Sequence, residues 1–213
     1  MTVLGRLRSP LAVPAAYWTL QQLLGATAVH RKVVGHHARV APGQRVLDLG
    51  CGPGRVLDVL PEVDYVGLDV SEQYIAAARV RYRDRGEFRC VDASHADLAD
   101  EPPFDVVLLM GVVHHLDDAA ARRTVAIAAA ALHEAGRLVT LDPARTPQQA
   151  AVARWLTGRD RGACVRVPEA YRAIAESAFG VVSVSVYDDL ARVPYTHAVL
   201  ECTHPRTAAS SII

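Results

Sequence analysis

Neither sign of charge is in excess. Lys plus Arg and Asp plus Glu each number 23 in 213 residues, so the basic surplus expected of a protein that binds nucleic acid or an anionic membrane is missing. Cysteine is sparse. Cys51, Cys90, Cys164 and Cys202 lie far apart and form no CxxC pair, a spacing that suits neither a zinc site nor a disulfide framework and fits reduced thiols in a cytoplasm. A long apolar run is also lacking. The stretch after Arg6 and Arg8 is interrupted by Pro10, Pro14 and Gln21-Gln22, unlike a signal peptide or a membrane span. Repeats and low-complexity blocks are absent too. The alanine-rich segment 119–131 has a polar side at Arg122-Arg123 and an apolar one at Ile127, as an ordinary helix would. Together these absences predict a soluble cytoplasmic protein with no nucleic-acid or membrane partner.

What is present is an apolar chain, 51% hydrophobic, long enough for one sizeable core. Residues 10–41 carry leucines and alanines at helical spacing, with Gly25 as a break. After the turn at Pro42-Gly43, short apolar runs alternate with helical patterns. Strands are expected at 45–49, 65–68, 88–91, 105–110 and 137–141. Helices are expected at 55–60, stopped by Pro61, at 71–83, capped by Ser71, and at 119–134, ended by Gly136. Such alternation predicts a doubly wound α/β fold with a mostly parallel sheet covered on both faces. Pro168 opens a further helix. Two β-rich runs, 181–187 and 195–202, have the pattern of an antiparallel pair at the sheet edge. Residues 205–213 read as a loose tail.

The segment Asp48-Leu-Gly-Cys-Gly-Pro-Gly54 follows the first strand. Glycines there permit positive φ and close approach of backbone to a ligand, and ligands of open parallel sheets bind beyond the carboxyl ends of the strands. A dinucleotide fingerprint needs G-x-G-x-x-G. Counted from Gly50, its third glycine falls on Arg55. The G-x-x-x-x-G-K-[ST] phosphate loop is absent as well. An acid at position 48 suits a ligand carrying an ammonium group better than a pyrophosphate. Asp69 ends the next strand, where a carboxylate can accept both hydroxyls of a ribose. Asp92 follows the third strand and is placed to accept from an adenine amine.

Asp48–Gly54, Asp69, Asp92-Ala93, the run 104–116 and the run 136–143 resemble, in order, the motifs of class I S-adenosylmethionine-dependent methyltransferases. The resemblance spans about residues 42–143. It implies a Rossmann-like seven-stranded sheet whose last strand is antiparallel, with residues 1–41 as an N-terminal helical lid and 42–204 as the cofactor-binding domain. It implies backbone contact with the methionine part at Gly50, Cys51, Gly52 and Gly54. Asp69 would bind ribose and Asp92 adenine, Val70, Tyr74 and Ala93 would line the adenine pocket, Met110 would border the methionine end, and Tyr17 and Gln21 would be lid contacts.

His114-His115 follows the fourth strand and so falls near the reacting sulfur. A hydroxyl or acidic carbon acceptor must lose a proton, and imidazole titrates in the useful range. Both histidines are candidate bases, with His115 preferred and also expected to touch the cofactor; the alternative is that one packs or bonds to the backbone while the other only contacts cofactor. His36-His37 is expected on a solvated helix face. Catechol-type relatives bind metal through acids at the ends of strands four and five and an asparagine beside the second; here strand four ends in Met110-Gly111 and Asp142 is followed by Pro143, so no metal is expected. The Asn/Asp-Pro-Pro-Tyr signature of amino-group methyltransferases is absent. Residues 144–170, with Trp155, Arg159, Arg161 and Arg166, and Tyr171 just after them, form the variable segment expected to shape the acceptor pocket, although surface pairing or packing is the plainer role for its arginines. The expectation is a methyltransferase for a small-molecule acceptor, oxygen first, then carbon or nitrogen, in bacterial secondary metabolism, acting as a monomer or homodimer. The alternatives are an NAD(P)-dependent oxidoreductase and a non-catalytic S-adenosylmethionine-binding protein.

Overall fold

The computed structural model describes residues 26–158 and 162–206. Helix α1 (Ala26–Val33) runs into a π-helical turn (Val34–Ala38) and then strand β1 (Arg45–Leu49). A 3-10 turn (Arg55–Asp58), β2 (Asp64–Asp69), α2 (Glu72–Tyr82) and β3 (Glu87–Cys90) follow. Next come β4 (Phe104–Met110), a 3-10 turn (Val113–His115), α3 (Asp118–Ala131) and β5 (Leu132–Pro143). The remainder is α4 (Ala151–Thr157), α5 (Pro168–Ala175), β6 (Phe179–Tyr187) and β7 (His197–Pro205).

The strands form one seven-stranded sheet in the order β3-β2-β1-β4-β5-β7-β6. The first five are mutually parallel. β7 is antiparallel to both β5 and β6, between which it lies. The doubly wound fold with an antiparallel last strand is therefore present, and the two β-rich runs do pair, with β6 on the edge.

Strand side chains alternate between two cores, as the period of 2 requires. Leu47 and Leu49 of β1, Val66 and Leu68 of β2, and Val107 and Leu109 of β4 pack with Ala121, Val125 and Ala128 of α3 and with Tyr171 and Ile174 of α5. The opposite face, with Val46, Tyr65, Val106 and Leu108, packs on Val29 and Val33 of α1 and on Ile75, Ala78 and Tyr82 of α2. Both faces are thus buried, which is why the strands read as continuous apolar runs.

Three local expectations are corrected. Residues 55–60 form only a 3-10 turn at Arg55–Asp58, because the six positions between Gly54 and Pro61 are too few to repay helix nucleation. α3 stops at Ala131 and Leu132 is already extended, three residues short of Glu134. Phe104 faces Leu132 and Val106 faces Arg137, so the β4–β5 pairing is bulged. A Cβ on Gly136 would lie 3.1 Å from the Phe104 carbonyl and 2.8 Å from Leu132 Cδ2, so this glycine marks a close approach inside β5.

The third correction concerns His37, which is buried. Its Nδ1 lies 2.7 Å from Glu201 Oε1 and its Nε2 3.0 Å from the Tyr187 hydroxyl. Arg39 donates to the other oxygen of Glu201 at 2.7 Å. The turn after α1 is thereby tied to β6 and β7. His36 is exposed, as expected. Pro205 belongs to β7, and the Arg206 N–H donates to the Ala178 carbonyl at 2.8 Å; residues 207–213 lie outside the described residues.

Leu108 has no exposed surface and sits mid-sheet on β4. Leu108→Ala should cost about 2–5 kcal/mol in urea unfolding, the range for a leucine removed from a packed core.

Candidate functional site

β1 runs to β2 and β3 on one side and is flanked by β4 and β5 on the other. That is a topological switch point, where the loops leaving β1 and β4 diverge and leave a crevice. The Gly50 and Cys51 N–H groups both donate to the Leu68 carbonyl, at 2.7 and 2.9 Å. Satisfying both from one oxygen bends the chain sharply, and Gly50, Gly52 and Gly54 adopt φ of +78°, +53° and +74°. A side chain at these angles is strained. A Cβ on Gly50 would also fall 2.5 Å from Val112 Cγ2. Gly54 is packed beneath aromatic rings: its Cβ would come within 2.9 Å of Phe88 and 3.1 Å of Tyr82.

Asp69 ends β2 directly beside this loop. Its Oδ2 accepts the Gly52 N–H and its Oδ1 the Ser71 N–H, both at 2.8 Å. Burial pushes the carboxyl up and the two N–H donors oppose it. Each oxygen retains a further lone pair for a ligand hydroxyl. Asp92 is tied down by the Ser94 N–H and hydroxyl, both at 2.8 Å to Oδ1; these donors hold it below the usual carboxylate range. Its side chain is half exposed, with His95 Nδ1 at 3.3 Å from the other oxygen. Val70 is 73% exposed. Tyr74, Ala93 and Met110 are partly buried, and Cys51 is buried. Tyr17 and Gln21 lie outside the described residues.

Asp48 points into the α1–α2 side of the sheet. The Tyr65 hydroxyl donates to its Oδ2 at 2.7 Å, and its Oδ1 is buried with no partner among the described residues. Desolvation by burial pushes its carboxyl up to about 7, the Tyr65 hydrogen bond pulling the other way. Tyr65 and this orphaned oxygen were not evident in the sequence, because nothing local tells a buried strand tyrosine from one that bears a partner.

After β4, Gly111 takes φ +76°, and the nearest atom to a Cβ there would be His114 Cε1 at 3.8 Å. The 3-10 turn that follows divides the histidine pair. His114 is buried and His115 exposed, with ring centroids 4.0 Å apart. His114 Nδ1 lies 2.8 Å from Asp142 Oδ1, which also accepts the His114 backbone N–H at 3.0 Å. Asp142 is 1% exposed. Burial pushes its carboxyl up, and the donors from His114 oppose the shift. With the carboxylate ionised, Nδ1 carries the proton and Nε2 is the basic atom. In the sequence Asp142 reads as the end of strand five, where the following Pro143 leaves no metal-binding asparagine. The signal was available: strands four and five are neighbours, so the residue ending one meets the loop leaving the other. Among the described residues, no group of three or more His, Cys, Asp or Glu side chains is arranged to hold a metal ion, and no helix is long and apolar enough to cross a membrane.

The variable segment splits in the same way. The Tyr171 hydroxyl donates to the Pro143 carbonyl at 2.9 Å, and the Arg166 guanidinium bonds to backbone carbonyls of the histidine turn, so both have packing roles. Trp155 is 56% exposed on α4. Arg159 and Arg161 lie outside the described residues.

Raised native pKa values make ionisation of Asp48 costly to the fold. Its contribution to stability is complete below the unfolded value near 3.8 and is lost as pH rises through about 7. Asp48→Asn, whose amide oxygen can still accept from Tyr65, should therefore lose less thermal stability than the parent between pH 5 and pH 8. Parallel melting curves check this; equal slopes for the two proteins count against a buried, proton-holding Asp48.

Comparison with known proteins agrees with this geometry. Residues 47–138 match the family described as "Methyltransferase domain". The chain is 37% identical over 82 residues to a ubiquinone biosynthesis O-methyltransferase of Bradyrhizobium diazoefficiens, covering 36% of this chain and 31% of that one. The chain thus spans about a third of the length of the curated relatives it matches. A TehB-like SAM-dependent methyltransferase of Corynebacterium glutamicum superposes with a TM-score of 0.64 at 20% identity, covering 91% of this chain and 98% of that one. The mitomycin 7-O-methyltransferase MmcR gives a TM-score of 0.67 at 20% identity, covering 90% and 58%. Likenesses at that identity establish the fold.

Proposed function

We propose that residues 47–138, which match a methyltransferase domain on a doubly wound seven-stranded sheet, make the chain a class I S-adenosylmethionine-dependent methyltransferase that transfers a methyl group to a small-molecule hydroxyl. The observation that carries the reading is the meeting, at one switch point, of the Gly50–Gly54 turn held by Asp69 and the buried His114–Asp142 pair.

The residues fit that cofactor. Asp69 and Asp92 are fixed carboxylates at successive strand ends, suited to ribose hydroxyls and an adenine amine. Tyr74, Val70 and Ala93 are assigned to the adenine pocket. Gly50, Cys51, Gly52 and Met110 are assigned to the methionine end, and Asp48 beneath the loop would favour an ammonium group nearby in its ionised form. Gly54 supports the loop by packing on Phe88 and Tyr82. Tyr17 and Gln21, outside the described residues, are proposed as lid contacts, whereas residues 26–41, expected as part of that lid, instead belong to the layer packed on the sheet. When bound, S-adenosylmethionine supplies a methyl group on a sulfonium. The chain's part is to orient the acceptor for in-line displacement and to accept its proton. His114 is set up for the second task, because Asp142 fixes its tautomer and leaves Nε2 as the base. His115, its ring tilted against that of His114 and exposed, is the second candidate and a contact for the acceptor. O-methylation is favoured over C- or N-methylation by the presence of a held imidazole, which a neutral amine would not need, and by the O-methyltransferase relatives. Bacterial secondary metabolism, a cytoplasmic setting and a monomeric or homodimeric state belong to the same reading.

Calorimetry with S-adenosylhomocysteine tests the cofactor assignment. Binding is expected in the parent protein, and Asp69→Ala should weaken it about ten-fold or more, since two charge-assisted hydrogen bonds are lost. Stabilisation by NAD or NADP with no response to S-adenosylhomocysteine would sink the reading. For the base, release of S-adenosylhomocysteine is followed across a panel of phenolic acceptors. His114→Asn should lower turnover by about a hundred-fold or more while cofactor affinity holds, and a larger loss in His115→Ala would transfer the role to His115.

A further inference from the structure

One guanidinium outside the glycine loop and the histidine pair makes more bonds than any surface role requires. The side chain of Arg166 is 10% exposed. Its Nη1 donates to the Val113 carbonyl at 2.9 Å and to the Cys164 carbonyl at 3.0 Å. Its Nη2 donates to the Leu116 carbonyl at 2.7 Å and to Asp118 Oδ1 at 2.7 Å, and its Nε to the same Asp118 oxygen at 3.1 Å. A guanidinium has five N–H donors, and all five are used. Three of the acceptors are main-chain carbonyls, which would go unpaired if the side chain left.

These bonds fall on specific elements. Val113 and Leu116 flank His114 and His115 in the turn after β4. The main chain of Arg166 reaches the other half of the dyad: its carbonyl accepts the Arg145 N–H at 3.0 Å, and Ala144 pairs with Arg166 as a parallel bridge just past Asp142-Pro143. The short strap 162–166 also closes on His114 itself. The Cys164 N–H donates to the His114 carbonyl at 2.9 Å, and a Cβ on Gly162 would collide with the His114 ring and come 2.6 Å from its carbonyl oxygen. Arg166 therefore joins the turn that carries His114 to the strand end that carries Asp142. The 2.8 Å contact between those side chains depends on the separation of two backbones, and Arg166 spans it.

We propose that Arg166 is the positioning residue of this site, acting through the main chain to hold His114 against Asp142, with Gly162 and Cys164 as the contact surface of its strap. The proposal rests on the reading of His114–Asp142 as the base pair. It also gives the variable segment a second duty: a loop expected to contact the acceptor fixes the base as well, so acceptor binding and base alignment are coupled through residues 162–166. Lysine is no substitute, since it offers three donors from one point in place of five from a planar fork.

The test reads the His114 Nδ1 proton directly. In the parent protein a downfield imidazole N–H resonance is expected, identified as His114 by its loss in His114→Asn and its shift in Asp142→Asn. In Arg166→Met that proton should exchange with water about ten-fold faster or more, while the affinity for S-adenosylhomocysteine changes by less than about three-fold. Arg166→Lys, a milder change, serves if the methionine variant does not fold, with the same expectation. Exchange at the parent rate in a folded variant would overturn the proposal. So would a parallel collapse of S-adenosylhomocysteine binding, which would make Arg166 a general support of the fold. Failure of the parent protein to bind S-adenosylhomocysteine would instead strike the methyltransferase reading, and the exchange measurement on Arg166 would stand apart from it.

Discussion

The Leu68 carbonyl accepts from both Gly50 and Cys51, and much of the site follows from that shared acceptor. β1 is paired on both sides, by β2 and β4, so its end cannot drift. Two successive N–H groups converging on one oxygen force the backbone to fold back over the end of β2. The fold-back delivers the Gly52 N–H to Asp69 and leaves the crevice between the loops of β1 and β4. Positive φ at three glycines is the geometric cost of the turn, and the residue type at those positions is set by it. The acid at the end of β2 is thereby a structural partner of the loop before it meets any ligand.

The sheet and its strand ends were largely legible in the sequence because both cores are built on alternation. Leu47 and Leu49 face one helical layer and Val46 the other, so a run too short for a helix, apolar throughout and bounded by turn residues, reads as a strand buried on both faces. What failed was information that lies across the sheet. The end of α3 is decided by the pairing of Leu132 with Phe104, which local helix propensity cannot register. His37 reads as a surface residue from its neighbours, yet its partners Tyr187 and Glu201 are 150 and 164 residues away. The division of labour between His114 and His115 is likewise invisible locally: two identical residues side by side differ only because a 3-10 turn sends one toward Asp142.

Among the described residues, the buried carboxyls, Asp48 and Asp142, lie where chemistry is proposed. Asp48 and Asp142 are both fully enclosed carboxyls, and each has one oxygen satisfied and one buried without a partner among the described residues. Elsewhere the described charges mostly pair at the surface, as Arg45 does with Asp64 and Glu101. Two under-satisfied acids beside the switch point are an energetic burden on the fold, and such burdens persist where a ligand or a reaction makes use of them.

The position of β7 has a kinetic consequence. It follows β6 in the chain yet lies between β5 and β6 in the sheet. Until residues 197–205 are synthesised, β5 presents an open edge of unpaired backbone along the side that also carries Asp142, and β6 has no neighbour at all. A nascent chain in that state can pair wrongly at β5. Asp142, in register with Ala198, therefore acquires its final setting only when the antiparallel strand inserts, after the glycine turn and the parallel strands around it can already have closed.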